Sequence, residues 1–226
     1  MKIGIIFAMK EELLEFKKNI KDCKENKIFN LVFYESKYKD NNIIFVESGI
    51  GKVNAARTCQ ILIDNYKPDY VFNVGVAGGI DKDLNILDTV IGDKLVQHDF
   101  NIMAFNHERG YIPEIGVLIN SDDYLVKLSQ KCLDGAKTGI IASGDIFVTD
   151  TEMSKKINKK FNALCVEMEG AAIAEVCYLC KVPFLVLRSI SDTPNNKNEI
   201  TFEEFLEESS NIISNNLLKI LDNLSK

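Results

Sequence analysis

The segment DYVFNVGVAGGI, residues 69–80, decides the class of fold that this sequence predicts. It begins with a nearly continuous apolar run, which is typical of a strand buried on both faces of a sheet. The glycines that follow predict a tight turn, in which backbone N–H groups can approach a ligand. The segment KVNAARTCQILIDNY, which precedes Pro68, has helical spacing. A helix followed by a buried strand is the repeating unit of an α/β fold.

The same alternation continues in both directions along the chain. Further strands are predicted in KIGIIFA, NLVFYESKYKDNNIIFVESG (two strands around a turn), DTVIGDKLVQHD, KTGIIASGDIFV and VPFLVLRSISD. Further helices are predicted in KEELLEFKKNI, SDDYLVKLSQKC (with Ser121 as its cap), GAAIAEVCYLCK (apolar nearly all round and hence buried) and TFEEFLEESSNIISNNLLKIL. We therefore predict an α/β fold with a central mixed, mostly parallel twisted sheet flanked by helices on both sides.

Length and composition predict one domain over residues 1–226, because 46% of the residues are hydrophobic and no Pro/Gly/Ser-rich linker interrupts them. The net charge of −6 without a basic stripe argues against nucleic acid as a partner. No run of about 18 apolar residues predicts a membrane span. The N-terminus does not resemble a signal peptide, and six scattered cysteines then favour a reducing, cytoplasmic location.

Metal and cofactor sites are not predicted. The chain has only two histidines, so a histidine-rich metal site is excluded. Cys177 and Cys180 form a CxxC pair, but no second pair and no nearby histidine accompany it. The glycine-rich SGIGKVN segment fails the phosphate-loop pattern, because Val46 and Val53 stand where a glycine and a Ser or Thr belong.

Ligands of α/β sheets bind outside the carboxyl ends of the strands, so the residues that follow each strand are the candidates for a site. Those residues include the acids Glu12, Glu167, Glu169 and Asp192, with Ser191 beside the last. Glu12 has a second interpretation as an acid that complements a helix dipole, and Asp192 as a cap of the next element.

Two further observations concern buried charge. Arg188 lies within an apolar strand, where an unpaired charge is costly, and Glu167 is its natural partner. Glu169 begins a buried helix and also needs a partner, which the hydroxyl groups of a ligand would supply.

One further segment, NIMAFNHERGYIPE, is apolar without clean periodicity. This composition favours packing against another surface such as a second subunit.

Seven segments together resemble one family. In order and spacing, IGIIFAMKEEL, SGIGKVNAA, NVGVAGG, ASGDIFV, VEMEGAAIAEVC, VPFLVLRSISD and TFEEFL are similar to the 5′-methylthioadenosine/S-adenosylhomocysteine nucleosidases of the nucleoside phosphorylase superfamily. The resemblance covers essentially the whole chain. It implies a cofactor-free hydrolase that cleaves the N-glycosidic bond of 5′-thio-substituted adenosines with water, and releases adenine and the thioribose.

The resemblance also implies roles for individual residues. Glu12 is expected to activate the water, Asp192 to protonate adenine N7 with support from Ser191, and Glu169 to bind the ribose hydroxyls. The remaining substrate-binding residues implied are Met9, Ile50, Gly78, Phe147 (stacked on adenine), Val148 (reading its edge through the backbone), Glu167, Met168 (against the sugar), Arg188 and Phe202. Three more, Ile102, Phe105 and Pro113, match residues that a second subunit inserts beside the alkylthio group, which implies a homodimer.

Alternatives remain open from the sequence. Many relatives have serine in a GSAGG segment where this chain has Val76, so no side-chain role is assigned at that position. A phosphate-dependent purine nucleoside phosphorylase and a non-catalytic nucleoside-binding module are the other two hypotheses. The first requires cationic ligands for phosphate, whereas Glu12 would repel it. The sequence does not rank the 5′ substituents, which include 5′-deoxyadenosine and a futalosine-type nucleoside.

Overall fold

The computed structural model describes residues 1–193 and 202–224, with the backbone alone at 202–204. Its strands are β1 (Lys2–Phe7), β2 (Lys24–Ile28), β3 (Leu31–Tyr38), β4 (Asn41–Glu47), β5 (Tyr70–Gly79), β6 (Thr89–Gln97), β7 (Ile119–Asn120), β8 (Lys137–Ser143), β9 (Ala163–Glu167) and β10 (Phe184–Asp192). Its helices are α1 (Lys10–Lys17), α2 (Lys52–Tyr66), α3 (Asp123–Cys132), α4 (Thr151–Phe161), α5 (Gly170–Cys180) and α6 (Phe202–Asn223).

All of these strands belong to one mixed sheet, which confirms the predicted α/β class. Along the sheet the order is β10-β6-β8-β9-β5-β1-β4-β3-β2, with β7 paired to β6. Strand β5 also pairs with β10, so that β5, β10, β6, β8 and β9 close on themselves. Among the described residues, parallel and antiparallel pairings are equally frequent, so the sheet is less dominated by parallel strands than predicted.

Closure of the sheet depends on the glycines at the end of β5. The sequence predicted a turn at these glycines, and that prediction is wrong. The strand continues to Gly79, where it pairs with β9 through Gly78↔Val166 and Gly79↔Cys165. A Cβ atom on Gly79 would lie 3.1 Å from Ile190. The absence of side chains therefore lets β5 contact both β9 and β10 at its carboxyl end, where one strand contributes to two ladders.

Helices cover the sheet on both sides, as predicted. One apolar core lies between the sheet and α2 and α5, and a second lies between the sheet and α1, α3 and α6. A smaller cluster packs α4 against β8 and β9. No helix in the described part of the chain is long and apolar enough to cross a membrane.

Strand β2 was not predicted, and two local predictions are corrected. The charged segment at 24–28 forms β2, because pairing with β3 stabilises an exposed edge that its composition does not signal. Asp122 caps α3 by accepting a hydrogen bond from Leu125 N, while Ser121 donates to Gly92 O instead. Helix α5 is buried only in its first turns, since Leu179 in its last turn is 64% exposed.

Candidate active site

The carboxyl ends of several strands surround a cavity of about 430 Å³, as the fold predicts. Predicted residues that line it are Met9, Glu12, Ile50, Gly78, Phe147, Val148, Glu167, Met168, Glu169, Ser191 and Asp192. They come from the loops or helix starts after β1, β4 and β8, and from the ends of β5, β9 and β10. Residues far apart in the sequence therefore meet at one edge of the sheet.

The other predicted residues lie elsewhere. Arg188 is buried and contacts Glu167 from behind the cavity wall. Ile102, Phe105 and Pro113 do not line the cavity of their own chain, and Phe105 is 76% exposed. The side chain of Phe202 lies outside the described residues.

Glu12 occupies the third position of α1, and its side chain turns back to cap the start of that helix. Its Oε2 atom accepts hydrogen bonds from Ala8 N and Met9 N, and its Oε1 atom from Val76 N, each at 3.0 Å. Burial raises the pKa of Glu12, although the positive charge of Arg188 and the three N–H groups act to lower it. The carboxyl group is therefore fixed in position and holds a proton more readily than an exposed glutamate.

The predicted pairing of Glu167 with Arg188 is confirmed. Arg188 Nη2 contacts Glu167 Oε2, and it also donates to Asn73 Oδ1 at 2.5 Å. Ser143 Oγ donates to the other carboxylate oxygen, and Gly170 N donates to Oε2 at 2.7 Å. Because both partners are buried and hydrogen-bonded several times, this pair organises the wall of the cavity.

Glu169 lies at the start of α5, one position after Met168, and is buried. Its Oε1 atom accepts a hydrogen bond of 2.7 Å from Gly51 N. Burial, followed by the negative charge of Glu167, raises the pKa of Glu169 to about 7, while Arg188 and the Gly51 N–H oppose the rise. Glu167 and Glu169 both line the cavity, but their partners differ: Glu167 is held by Arg188, and Glu169 accepts from the Gly51 N–H group.

Asp192 ends β10, directly after Ser191, whose hydroxyl group donates to Asp192 Oδ1 at 2.9 Å. The same hydroxyl group lies 3.3 Å from Ala77 O. Burial raises the pKa of Asp192, and the hydrogen bond from Ser191 partly offsets this rise. Asp192 pairs in register with Gly78, so β5 and β10 together fix the position of the carboxyl group.

Apolar side chains form the rest of the cavity. Ile146, Phe147 and Val148 follow β8, and Ile50 follows β4. Ile50, Ile146 and Phe147 are also partly open to solvent, so they form the rim. A site that combines aromatic and aliphatic walls with a few buried carboxyl groups suits a flat, polar-edged ring joined to a hydroxylated group.

The sequence reasoning missed some of the lining residues, namely Ala8, Val76, Ala77, Ile146 and Val166. Ala8, Ala77, Ile146 and Val166 adjoin predicted residues, and Val76 lies two positions before Gly78. The signal was therefore position near a strand end rather than residue type. Among the described residues, no cluster of His, Cys, Asp and Glu side chains forms a metal site.

Comparisons with known proteins agree with this geometry. A model of the phosphorylase superfamily matches residues 2–226. A 5′-methylthioadenosine/S-adenosylhomocysteine nucleosidase of Staphylococcus aureus is 43% identical over 213 residues, which cover 92% of this chain and 93% of that protein.

Solved structures of similar nucleoside hydrolases share the fold of this chain. The 5′-methylthioadenosine/S-adenosylhomocysteine nucleosidase of Helicobacter pylori has a TM-score of 0.95 and 38% identity, with 99% of each chain covered. The futalosine hydrolase of Helicobacter pylori has a TM-score of 0.94 and 37% identity, with 99% of this chain and 98% of that chain covered. Each comparison spans nearly the whole chain, including the strands that surround the cavity.

Proposed function

This chain belongs to the phosphorylase superfamily and, within it, to the 5′-methylthioadenosine/S-adenosylhomocysteine nucleosidases, and on that premise we propose how its residues cleave the N-glycosidic bond. The substrates are 5′-methylthioadenosine, S-adenosylhomocysteine and also 5′-deoxyadenosine. Water adds to the anomeric carbon of the ribose, the bond from that carbon to adenine N9 breaks, and the products are adenine and the 5-substituted ribose. No cofactor takes part.

Two carboxyl groups divide the proton transfers. Breaking the bond builds positive charge on the sugar and negative charge on the purine, so a proton donor must act on adenine while a base acts on water. Asp192 donates a proton to adenine N7, and its raised pKa keeps a larger fraction of the donor protonated near neutral pH. Glu12 accepts a proton from the attacking water on the other side of the sugar, in the manner of inverting glycosidases.

The other lining residues hold the substrate. Glu169 accepts hydrogen bonds from the ribose 2′- and 3′-hydroxyl groups, and Met168 packs against the sugar. Phe147 stacks on the adenine ring, the backbone of Val148 binds its edge, and Met9 and Ile50 complete the apolar wall. Gly78 leaves space beside Asp192, where a Cβ atom would lie 3.2 Å from Oδ2.

The observation that carries this proposal is the presence of three carboxyl groups with raised pKa values, Glu12, Glu169 and Asp192, around one apolar cavity. Groups whose burial shifts their pKa upwards are suited to proton transfer near neutral pH. The same observation disfavours the phosphorylase hypothesis. Among the described residues that line the cavity, none is a lysine, arginine or histidine that would bind phosphate.

The decisive experiment measures adenine release from 5′-methylthioadenosine by Asp192→Asn and Glu12→Gln. Each change removes a proton transfer and is expected to lower kcat by at least about 100-fold, while the unfolding transition remains cooperative. Glu11→Gln, an exposed neighbour on α1, is the control and retains wild-type turnover. Near-normal turnover in either active-site variant contradicts the assigned role. A wild-type protein that binds nucleoside without turnover supports the non-catalytic hypothesis, and a requirement for phosphate supports a phosphorylase.

A panel assay tests which 5′ substituent the enzyme prefers. 5′-Methylthioadenosine, S-adenosylhomocysteine, 5′-deoxyadenosine and futalosine are supplied at equal concentration, and the released base is measured. Futalosine is included because a futalosine hydrolase shares this fold at 37% identity. We expect the adenosine thioethers to have the highest kcat/KM, and a preference for futalosine would reassign the substrate.

We further propose a homodimer in which Ile102, Phe105 and Pro113 of each chain lie beside the 5′ substituent bound by the partner. Their segment is apolar, yet none of the three lines the cavity of its own chain. We also infer a cytoplasmic location. All six cysteines are free thiols, and a reducing compartment keeps cysteines in that state.

A further inference from the structure

A closed ring of hydrogen bonds joins three loops at the rim of the cavity. Lys52 Nζ lies 2.6 Å from Asp99 Oδ1, and Asp145 N donates to Asp99 Oδ2 at 2.9 Å. Lys52 N donates to Asp145 Oδ1 at 2.8 Å, which closes the ring. The three residues follow β4, β6 and β8, respectively, and none of them lines the cavity.

The Lys52–Asp99 pair of the ring is shielded from water more than an ordinary surface ion pair. The side chains of Lys52 and Asp99 are 16% and 19% exposed. Lys52 Nζ also donates to Gln97 Oε1 at 3.1 Å, and Gln97 Nε2 donates to Glu175 Oε2 at 2.5 Å. Partly buried charges that share several hydrogen bonds fix geometry more firmly than exposed pairs do.

Two of the three corners of the ring, Lys52 and Asp145, adjoin residues of the proposed site. Gly51 precedes Lys52, and its N–H group is the donor to Glu169 Oε1. Asp145 is followed by Ile146 and Phe147, which form the apolar wall at the rim. A small shift of either loop therefore moves the Gly51 N–H group, which orients Glu169, or the aromatic side chain of Phe147, which faces adenine.

The start of α2 packs closely against Asp145 and requires a glycine at position 51. Gly51 has φ of +98°, a backbone conformation that favours glycine, and a Cβ atom there would lie 3.2 Å from Asp145 Oδ1. Two carboxylates, Glu169 and Asp145, accept the N–H groups of Gly51 and Lys52 at this helix N-terminus. The positive end of the helix dipole stabilises both negative charges.

We propose that Lys52, Asp99 and Asp145 are positioning residues that hold the Phe147 wall and Glu169 in the arrangement that binds the nucleoside. This role rests on the proposed function of the cavity, and no atom of the ring touches substrate. The ring joins the adenine wall to the ribose-binding carboxylate, so it governs substrate binding. It has no direct contact with Glu12 or Asp192, so it leaves the proton transfers unchanged.

Steady-state kinetics of Lys52→Met with 5′-methylthioadenosine test this proposal. Loss of the ammonium group is expected to raise KM about 10-fold and to change kcat by less than about 3-fold, as expected for weaker ground-state binding. Lys52→Arg, which keeps the charge, is expected to recover most of the affinity. Lys39→Met is the matched control, because Lys39 Nζ pairs with Asp222 Oδ1 at 2.7 Å away from the cavity. It is expected to leave KM unchanged.

Two further variants separate positioning from folding. Asp145→Ala removes the corner that is exposed to solvent, so it folds even where Lys52→Met does not, and it is expected to raise KM in the same way. The double variant Lys52→Met with Asp99→Asn is expected to raise KM no further than the more affected single variant, because both changes open the same ring. Wild-type KM in Lys52→Met or Asp145→Ala overturns the proposal, and so does a loss of kcat at constant KM.

Failure of the proposed function gives a different result. If the wild-type protein releases no base from any nucleoside, the hydrolase assignment fails, and the ring is tested by calorimetric titration with adenine. The ring proposal then predicts weaker adenine binding by Asp145→Ala than by wild type and by Lys39→Met. Equal adenine affinity in all three proteins overturns it.

Discussion

Three carboxyl groups around the cavity, those of Glu12, Glu169 and Asp192, share burial and a raised pKa. Each of them is more easily protonated in the folded protein than in the unfolded chain. Folding is therefore favoured at pH values where they carry a proton, and the stability they contribute is lost as pH rises through the folded pKa. The residues proposed for catalysis are thus placed at a cost to stability near neutral pH.

Glu169→Gln tests whether a buried carboxylate lowers stability near neutral pH, because the pKa of Glu169 is raised to about 7. Below the unfolded pKa of about 4.5 both proteins present a neutral side chain, so their unfolding free energies are expected to be similar. Above pH 7 wild-type Glu169 is ionised in its buried position, and the variant is expected to be more stable by on the order of 2 kcal/mol. Urea unfolding at several pH values between about 4.5 and 8 measures the difference.

Glu11→Gln provides the control, since it removes one carboxylate from the exposed surface of α1. Its stability difference from wild type is expected to show no comparable gain on the alkaline side. If Glu169→Gln is equally stable or less stable than wild type at the alkaline end, the buried carboxylate does not destabilise the fold.

Strand β5 is the element on which the site depends most. Its backbone at Val76 donates to Glu12, its Gly78 pairs with Asp192, and its side chain at Asn73 accepts from Arg188. At Gly75 the carboxyl group of Glu12 occupies the space that a side chain would take, since a Cβ atom would lie 2.5 Å from Oε1. The element thus positions one catalytic carboxyl group by hydrogen bonding and by leaving room for it.

Gly75→Ala is therefore expected to displace Glu12 and to lower kcat by at least about 10-fold, because the base loses its position for proton transfer. Adenine release from 5′-methylthioadenosine and the urea unfolding midpoint are measured together. Gly139→Ala in β8 is the control: its Cβ atom would lie 2.8 Å from the side chain of Leu164, so it strains the core away from Glu12. Equal loss of kcat in both variants would show that strain in the sheet, rather than Glu12, is responsible.

On the scale of the whole molecule, one chain leaves several large apolar side chains uncovered. Phe105 is 76% exposed and Leu179 is 64% exposed, and Met103 and Tyr178 are more than half exposed. A second copy of the chain would remove such side chains from water, and burial of apolar surface is the main driving force for stable association. The proposed homodimer accounts for this exposure and places Phe105 beside the partner's cavity.

Light scattering after gel filtration is expected to give about twice the chain mass of 25.5 kDa for the wild-type protein. Phe105→Asp introduces a charge into the proposed interface, and is expected to shift the mass towards the monomer and to raise KM for 5′-methylthioadenosine several-fold. Leu14→Asp, at a partly exposed position on α1, is expected to leave both mass and KM unchanged. A monomeric wild-type protein with full activity contradicts the shared site.

Local pattern was sufficient for much of this protein. The apolar runs predicted the strands because a strand buried on both faces requires apolar side chains in succession, and the rule of strand ends brought Glu12, Glu169 and Asp192 to one place. The partner of Arg188 was also predictable, because a buried arginine within a strand must pair with an acid. Strand β2 was not predictable, since its exposed, charged residues are ordered by their neighbour β3 rather than by their own composition.

The sequence by itself determined which segments are apolar strands, which residues carry charge and at which strand ends they lie, because these depend on side-chain chemistry and on spacing along the chain. Tertiary structure alone decided that β5 pairs with β1, β9 and β10 and closes the sheet, that Val76 N donates to Glu12, and that Lys52, Asp99 and Asp145 form a ring. These features depend on contacts between residues tens of positions apart. Their distances follow from packing of the whole chain, which no local pattern encodes.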